Sequence, residues 1–204
     1  HMTDSGLVYE YRTGSVVAAI EPSMGPMAGG TAVRVTGEGL LSNAQAVCRF
    51  GSSELRLGEQ PSSSTMMWCT SPARQSEGMA LVEVSVDGLA FSADGHRFLY
   101  YTAEEVHHVM PSVGSAGRAH LTRLTGKHFL DAHAVCIVGK EHRIGATWRS
   151  STAVECMMPA LPEGRVTVDV SNNGVDVSTG KTGAEVMFEH VREAQLVSIS
   201  PSVG

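Results

Sequence analysis

Aromatic residues are scarce in this chain, at 5% of 204 positions. Clustered positive charge is missing too. No run of lysine and arginine occurs, and the net charge is −6. Phosphate-binding surfaces carry a basic face, so the composition argues against nucleic acid as a partner. No apolar stretch approaches the ~18 residues that would suggest a membrane span. No charged-then-apolar signal segment opens the chain. No segment keeps a helical period beyond about two turns. The phosphate-cradling and dinucleotide glycine motifs are lacking, as is the G-x-S-x-G turn of a serine hydrolase. Asn43, Asn172 and Asn173 all lack the Ser/Thr that would make them glycan acceptors. N-glycans are therefore not required, which leaves sheet faces free for protein contacts.

What is present is a hydrophobic content of 42% and 22 glycines. That content suffices for a packed core. Valines and small residues suit many short strands joined by turns.

The chain repeats itself. Pro22, Pro111 and Pro201 each follow an apolar run and open a Pro-Ser-x-Gly pattern. Further matches follow in order. "VTGEGLL" from Val35 answers "LTGKHFL" from Leu124. "AVCRFG" from Ala46 answers "AVCIVG" from Ala134. "CTSP" from Cys69 answers "CMMP" from Cys156, and "VEVSVDG" from Val82 answers "VTVDVSNNG" from Val166. So many ordered matches at nearly one offset make a repeat. The expected division is a vector scar and the tail of a preceding repeat over 1–16, a first domain over 17–101 and a linker over 102–105. A second domain over 106–190 and the start of a third repeat over 191–204 complete it. A linker so short predicts restricted relative motion.

Each unit reads as all-β. "ALVEVSVDG" sets Leu81 against Val82, Val84 and Val86, and "GRVTVDV" places Val166, Val168 and Val170 on one face. Asp87-Gly88 and Asn173-Gly174 predict type I′ hairpin turns. Val17 to Ile20 predict a strand ended by Pro22, which has no N–H for the ladder. Gly25, Gly29 and Gly30 are expected to turn the chain before the strand at Thr31. Short strands with turn signals every 8 to 12 residues or so predict an immunoglobulin-like sandwich.

The order I-x-P-x-x-G-P-x-x-G-G-T, V-T-G-x-x-L, C-x-F-G, C-x-x-P, hairpin and F-x-Y resembles the IPT/TIG domain family. The first unit carries the whole pattern. The second departs from it at "SVGSAGRAHL" and "VCIVG". The resemblance implies two tandem immunoglobulin-like (IPT/TIG, E-set) β-sandwiches. It also implies plexin-like and fibrocystin-like cell-surface arrays, or dimerisation domains of transcription factors.

Four cysteines stand two per unit at matching places. Disulfides Cys48–Cys69 and Cys136–Cys156 are expected; buried thiols or zinc are the alternatives. Closing a loop of about 20 residues is worth on the order of 3 kcal/mol. A bridge in each unit would imply an oxidising compartment, and so an extracellular or cell-surface location.

Other chemistry is thinly supported. His107, His108, His120, His128, His133 and His142 are expected as solvated loop residues, with Asp131 and His133 able to share a strand face. A zinc site needs three or four converging ligands, and calcium needs several oxygens. Glu104 and Glu105 are expected in the linker, facing water. No cofactor is expected. Alternation places Met67 and Cys69 on one face and Met66 and Trp68 on the other. Trp68 therefore points outward, where it is expected either to be covered by a loop or the adjacent unit or to anchor a partner, with Glu155 at its place in the second unit. The expected role is non-catalytic adhesion or recognition of a protein partner or of itself. Carbohydrate contact within a secreted polysaccharide enzyme is the alternative, and a nuclear dimerisation domain the third.

Overall fold

The computed structural model describes residues 14–40, 46–56, 63–177, 185–193 and 198. The expected tail of a preceding repeat and start of a following one lie almost wholly outside the described residues. The chain divides into two compact units, His1–Tyr101 and Thr102–Gly204. Among the described residues there is no helix.

The first unit contains β1 (Val16–Glu21), β2 (Met24–Pro26), β3 (Ala32–Glu38), β4 (Val47–Phe50), β5 (Ser53–Arg56), β6 (Met66–Thr70), β7 (Gly78–Ser85) and β8 (Arg97–Tyr101). They form a small sheet ordered β1-β3-β6 and a larger one ordered β2-β8-β7-β4-β5. The second unit contains β9 (Glu105–Met110), β10 (Val113–Ser115), β11 (His120–Lys127), β12 (Val135–Val138), β13 (His142–Gly145), β14 (Thr147–Ser150), β15 (Ala153–Met158), β16 (Gly164–Ser171) and β17 (Met187–Val191). Its sheets run β14-β15-β11-β9 and β10-β17-β16-β12-β13. Each unit is an immunoglobulin-like sandwich.

Alternation decides which side chains fill the space between sheets. Val33 and Val35 from β3, Met67 from β6, Val82 and Val84 from β7 and Phe98 from β8 close the first core. Leu124, Val154, Met158, Val168, Val170 and Phe188 close the second. Cys48 on the larger sheet is bonded to Cys69 on the smaller, with their Cα atoms 6.0 Å apart. Cys136 and Cys156 join the sheets of the second unit in the same way, at 6.3 Å.

Gly37 and Gly126 hold equivalent places for one physical reason. A Cβ on Gly37 would run into the backbone carbonyl of Val16, and one on Gly126 into that of Glu105. Both lie beside irregular steps in the pairing of the first strand with the next.

Two local expectations are corrected. Gly25 does not turn the chain; it sits within β2, paired in parallel with β8. A Cβ there would meet Thr31 and Phe98, so close packing selects glycine. Gly29 and Gly30 do make the turn, with φ of 71° and 87°. The Asp-Gly and Asn-Gly pairs do not form two-residue hairpin turns. β7 and β8 are joined by the longer segment 86–96. Asp87 organises it by accepting hydrogen bonds from the N–H groups of Leu89 and Ala90 and from the Ser85 hydroxyl. Asn173 repeats the arrangement with Val175, Asp176 and Ser171. Short polar side chains that bond to the backbone two residues on compete with a primed turn, and here they win.

Candidate recognition surfaces

The small sheet of each unit turns one face away from the core. On the first unit a cross-strand row runs Glu21, Arg34, Trp68. Arg34 pairs with Glu21 at 2.5 Å. Trp68 is half-buried between fully buried Met67 and Cys69, so its indole lies on the outer face. On the second unit the equivalent row is Met110, Arg123, Glu155. Glu155 holds the place of Trp68 and accepts a hydrogen bond from Arg149 at 2.7 Å. That bond holds the Glu155 carboxyl below the usual carboxylate range.

An apolar group on the second unit was not singled out from sequence. Leu121 and Met157 are directly opposed across strands. They are 60% and 49% exposed, and nearby Met110 is 70% exposed. The first unit has Ala32 opposite Thr70 there. The signal was legible as outward positions in the alternation of β11 and β15, but methionine and leucine read equally well as core.

The larger sheets differ in the opposite sense. Met24, Leu99 and Met79 form an apolar row on the first unit. Val113, Glu189 and Arg165 take those places on the second, with an ion pair at 3.3 Å. A cleft of about 460 Å³ opens beside the first unit's row, lined in part by Phe50, Pro72, Arg74, Met79, Glu83 and Tyr100. Tyr100 is buried, and its hydroxyl has no hydrogen-bond partner among the described residues. Burial pushes that phenol up to about 12, against a smaller opposing effect of the Arg74 guanidinium.

Glu104 corrects the expectation of a solvated linker carboxylate. It is 3% exposed. Its oxygens accept from the backbone N–H of Asn172 at 3.1 Å and from Asn172 Nδ2 at 3.0 Å. Asn172 Nδ2 also donates to the His128 carbonyl, while its Oδ1 accepts from the Leu130 N–H. Desolvation raises the Glu104 carboxyl to about 7, opposed by its backbone hydrogen bonds. Glu105 opens β9 and lies 3.2 Å from His107.

The histidines are also redistributed. His107, His108, His120 and His142 lie on strands rather than loops. Asp131 and His133 sit in an exposed bend, so they share no strand face. His128 has a positive φ of 60° and bonds through Nδ1 to the Ala103 carbonyl. Among the described residues no group of three His, Cys, Asp or Glu could hold a metal. Trp148 lies on β14 and donates from Nε1 to the Phe129 carbonyl at 3.1 Å.

The IPT/TIG domain model matches the chain twice, over residues 15–100 and 105–186. Human Fibrocystin-L is 27% identical over 176 residues, covering 84% of this chain and 4% of that protein. A structure of the full extracellular region of plexin A4 superposes with a TM-score of 0.56 at 18% identity, covering 92% of this chain and 16% of that one. A second plexin A4 structure gives 0.51 at 17% identity, over 87% of this chain and 18% of that one. At that identity the likeness to plexin A4 concerns the fold. The chain thus spans a small part of the relatives it matches.

Proposed function

From a chain that belongs to the IPT/TIG domain family, we propose a non-catalytic recognition module within a larger extracellular or cell-surface protein. It binds a protein partner, or a second copy of itself, through the outer faces of its small sheets. The observation that carries this reading is the Trp68 row. Tryptophan and arginine are among the residue types enriched at interface hot spots, and here they stand side by side on an outer sheet face. The exposed Met110, Leu121 and Met157 supply a second apolar area on the other unit. The disulfide in each unit suits an oxidising compartment, and the Fibrocystin-L and plexin A4 likenesses are in keeping with it.

Sedimentation velocity over a concentration series tests the self-binding form. Association that weakens at least about tenfold in Trp68→Ala or in Leu121→Ser/Met157→Ser supports it, since a hot-spot truncation costs roughly 2 kcal/mol. A glycan array run on the same variants tests the alternative. Glycan binding unaffected by those changes, with no self-association, would replace the protein reading with the carbohydrate one.

A further inference from the structure

One row is shared by the two units and filled differently. In the first, Tyr100 on β8 is paired with Gly25 on one side and Gly78 on the other. In the second, His190 on β17 is paired with Gly114 and Gly164. A ring flanked by two glycines therefore faces each core at the same place. Phe98 lies 5.0 Å from the Tyr100 ring, and Phe188 lies 4.8 Å from the His190 ring.

The consequences of the two rings differ. A buried phenol stays neutral throughout the physiological range. A histidine does not, because its ordinary titration falls near pH 6.5 or so. His190 is 2% exposed, and among the described residues neither ring nitrogen has a hydrogen-bond partner.

The surroundings offer a proton no counter-charge. β11 presents His120, whose ring packs 6.0 Å from Phe188 and against Gly114. His120 is engaged through Nε2 with the Ser115 carbonyl at 2.9 Å. β10 brings only Val113, Gly114 and Ser115. On β16 and β17, Arg165 and Glu189 alternate to the outer face and pair with each other. Nearby Arg118–Glu193 and Arg192–Glu163 are exposed pairs at the surface. Among the described residues, the charged partners of the ring's neighbours all lie on the outer face, and no carboxylate is bonded to the ring.

We propose that His190 makes the second unit alone acid-sensitive: taking up a proton places an unpaired charge against Phe188 in the core and loosens that sandwich, while Tyr100 leaves the first unit closed. Burial first, and His120 second, hold the His190 imidazole below its ordinary range. The sign follows. The neutral ring is tolerated above the unfolded-state value of about 6.5, and its contribution is lost as pH falls through the folded-state value. Glu104 works in the opposite direction, yet it lies by Asn172, just past the far end of β16 from Gly164. The two groups are thus separable by mutation.

The two tryptophans allow each unit to be followed by itself within the intact chain. With Trp68→Phe the emission reports the second unit through Trp148, and with Trp148→Phe it reports the first. In urea unfolding between pH 7.5 and 5, with Glu104→Gln in the background to remove the opposing carboxyl, the expected result is a midpoint drop of roughly half a molar or more for the second unit. His190→Phe should remove that drop, and His190→Tyr, which restores the first unit's residue, should do the same. Proton NMR of the unmutated chain gives an independent readout. The His190 ring should titrate at lower pH in the folded chain than in the same chain unfolded in urea. A His190 that titrates at the same pH in the folded and the urea-unfolded chain overturns the proposal. So does an acid response that persists unchanged in both His190 variants.

Discussion

The two units share strand order apart from β14, disulfide placement and a buried ring paired with a glycine on either side, yet they place polarity in different positions. The first buries Tyr100 and displays Trp68. The second buries His190 and Glu104 and displays Glu155 with an exposed Leu121–Met157 pair. A repeat constrains backbone registers, because close approaches such as Gly37 on Val16 leave no alternative. It leaves free the side chains that meet solvent or fill tolerant core positions. Function is therefore expected where the copies diverge.

The largest effect that should be common to both units is loss of a disulfide. Cys48→Ala/Cys69→Ala and Cys136→Ala/Cys156→Ala should each cost about 3 kcal/mol, since they release loops of 21 and 20 residues. Denaturant unfolding of the double variants measures this, and a cost below about 1 kcal/mol in either would end the equivalence. Next come Gly37→Ala and Gly126→Ala. Each forces a methyl onto a backbone carbonyl of the neighbouring strand and should cost roughly 1–3 kcal/mol. Unequal costs would show that only one unit depends on that close approach.

Glu104 should then separate the units. Its folded-state value of about 7 lies above the unfolded-state value near 4.5. Its contribution is therefore fully present below about pH 4.5 and is lost as pH rises through 7. Relaxation around the buried carboxylate absorbs part of the shift, so the loss should be on the order of 1–2 kcal/mol. In a His190→Phe background, Glu104→Gln should flatten this slope in the second unit, as read by unfolding at pH 5 and pH 8. The smallest effect belongs to the exposed pairs. Arg34→Ala should change stability by less than about 0.5 kcal/mol, because a solvated pair gains little.

Much of this was legible in the residues. Valine alternation gave the strands of both sandwiches, and the doubled Pro-Ser-x-Gly and cysteine positions gave the division into two units. The outward placement of Trp68 followed from one alternating run. Other features depended on contacts that no local pattern encodes. Glu104 reads as a linker carboxylate until Asn172, 68 residues away, supplies its donors. His190 stands in a short run, "MFEHV", where nothing marks it as a core residue until β17 is paired on both sides. Asp87-Gly88 carries a strong hairpin signal, but Ser85 and Asp87 together build a longer loop that satisfies the same backbone groups.

The central claim is that each copy is its own sandwich, held by its own cross-sheet disulfide. Single-tryptophan chains test it most directly. In the Trp68→Phe background, removing Cys48 and Cys69 should leave the unfolding midpoint seen by Trp148 where it was, while removing Cys136 and Cys156 should lower it. A Trp148 transition that moves equally with either pair would contradict the claim and make the two copies one cooperative body.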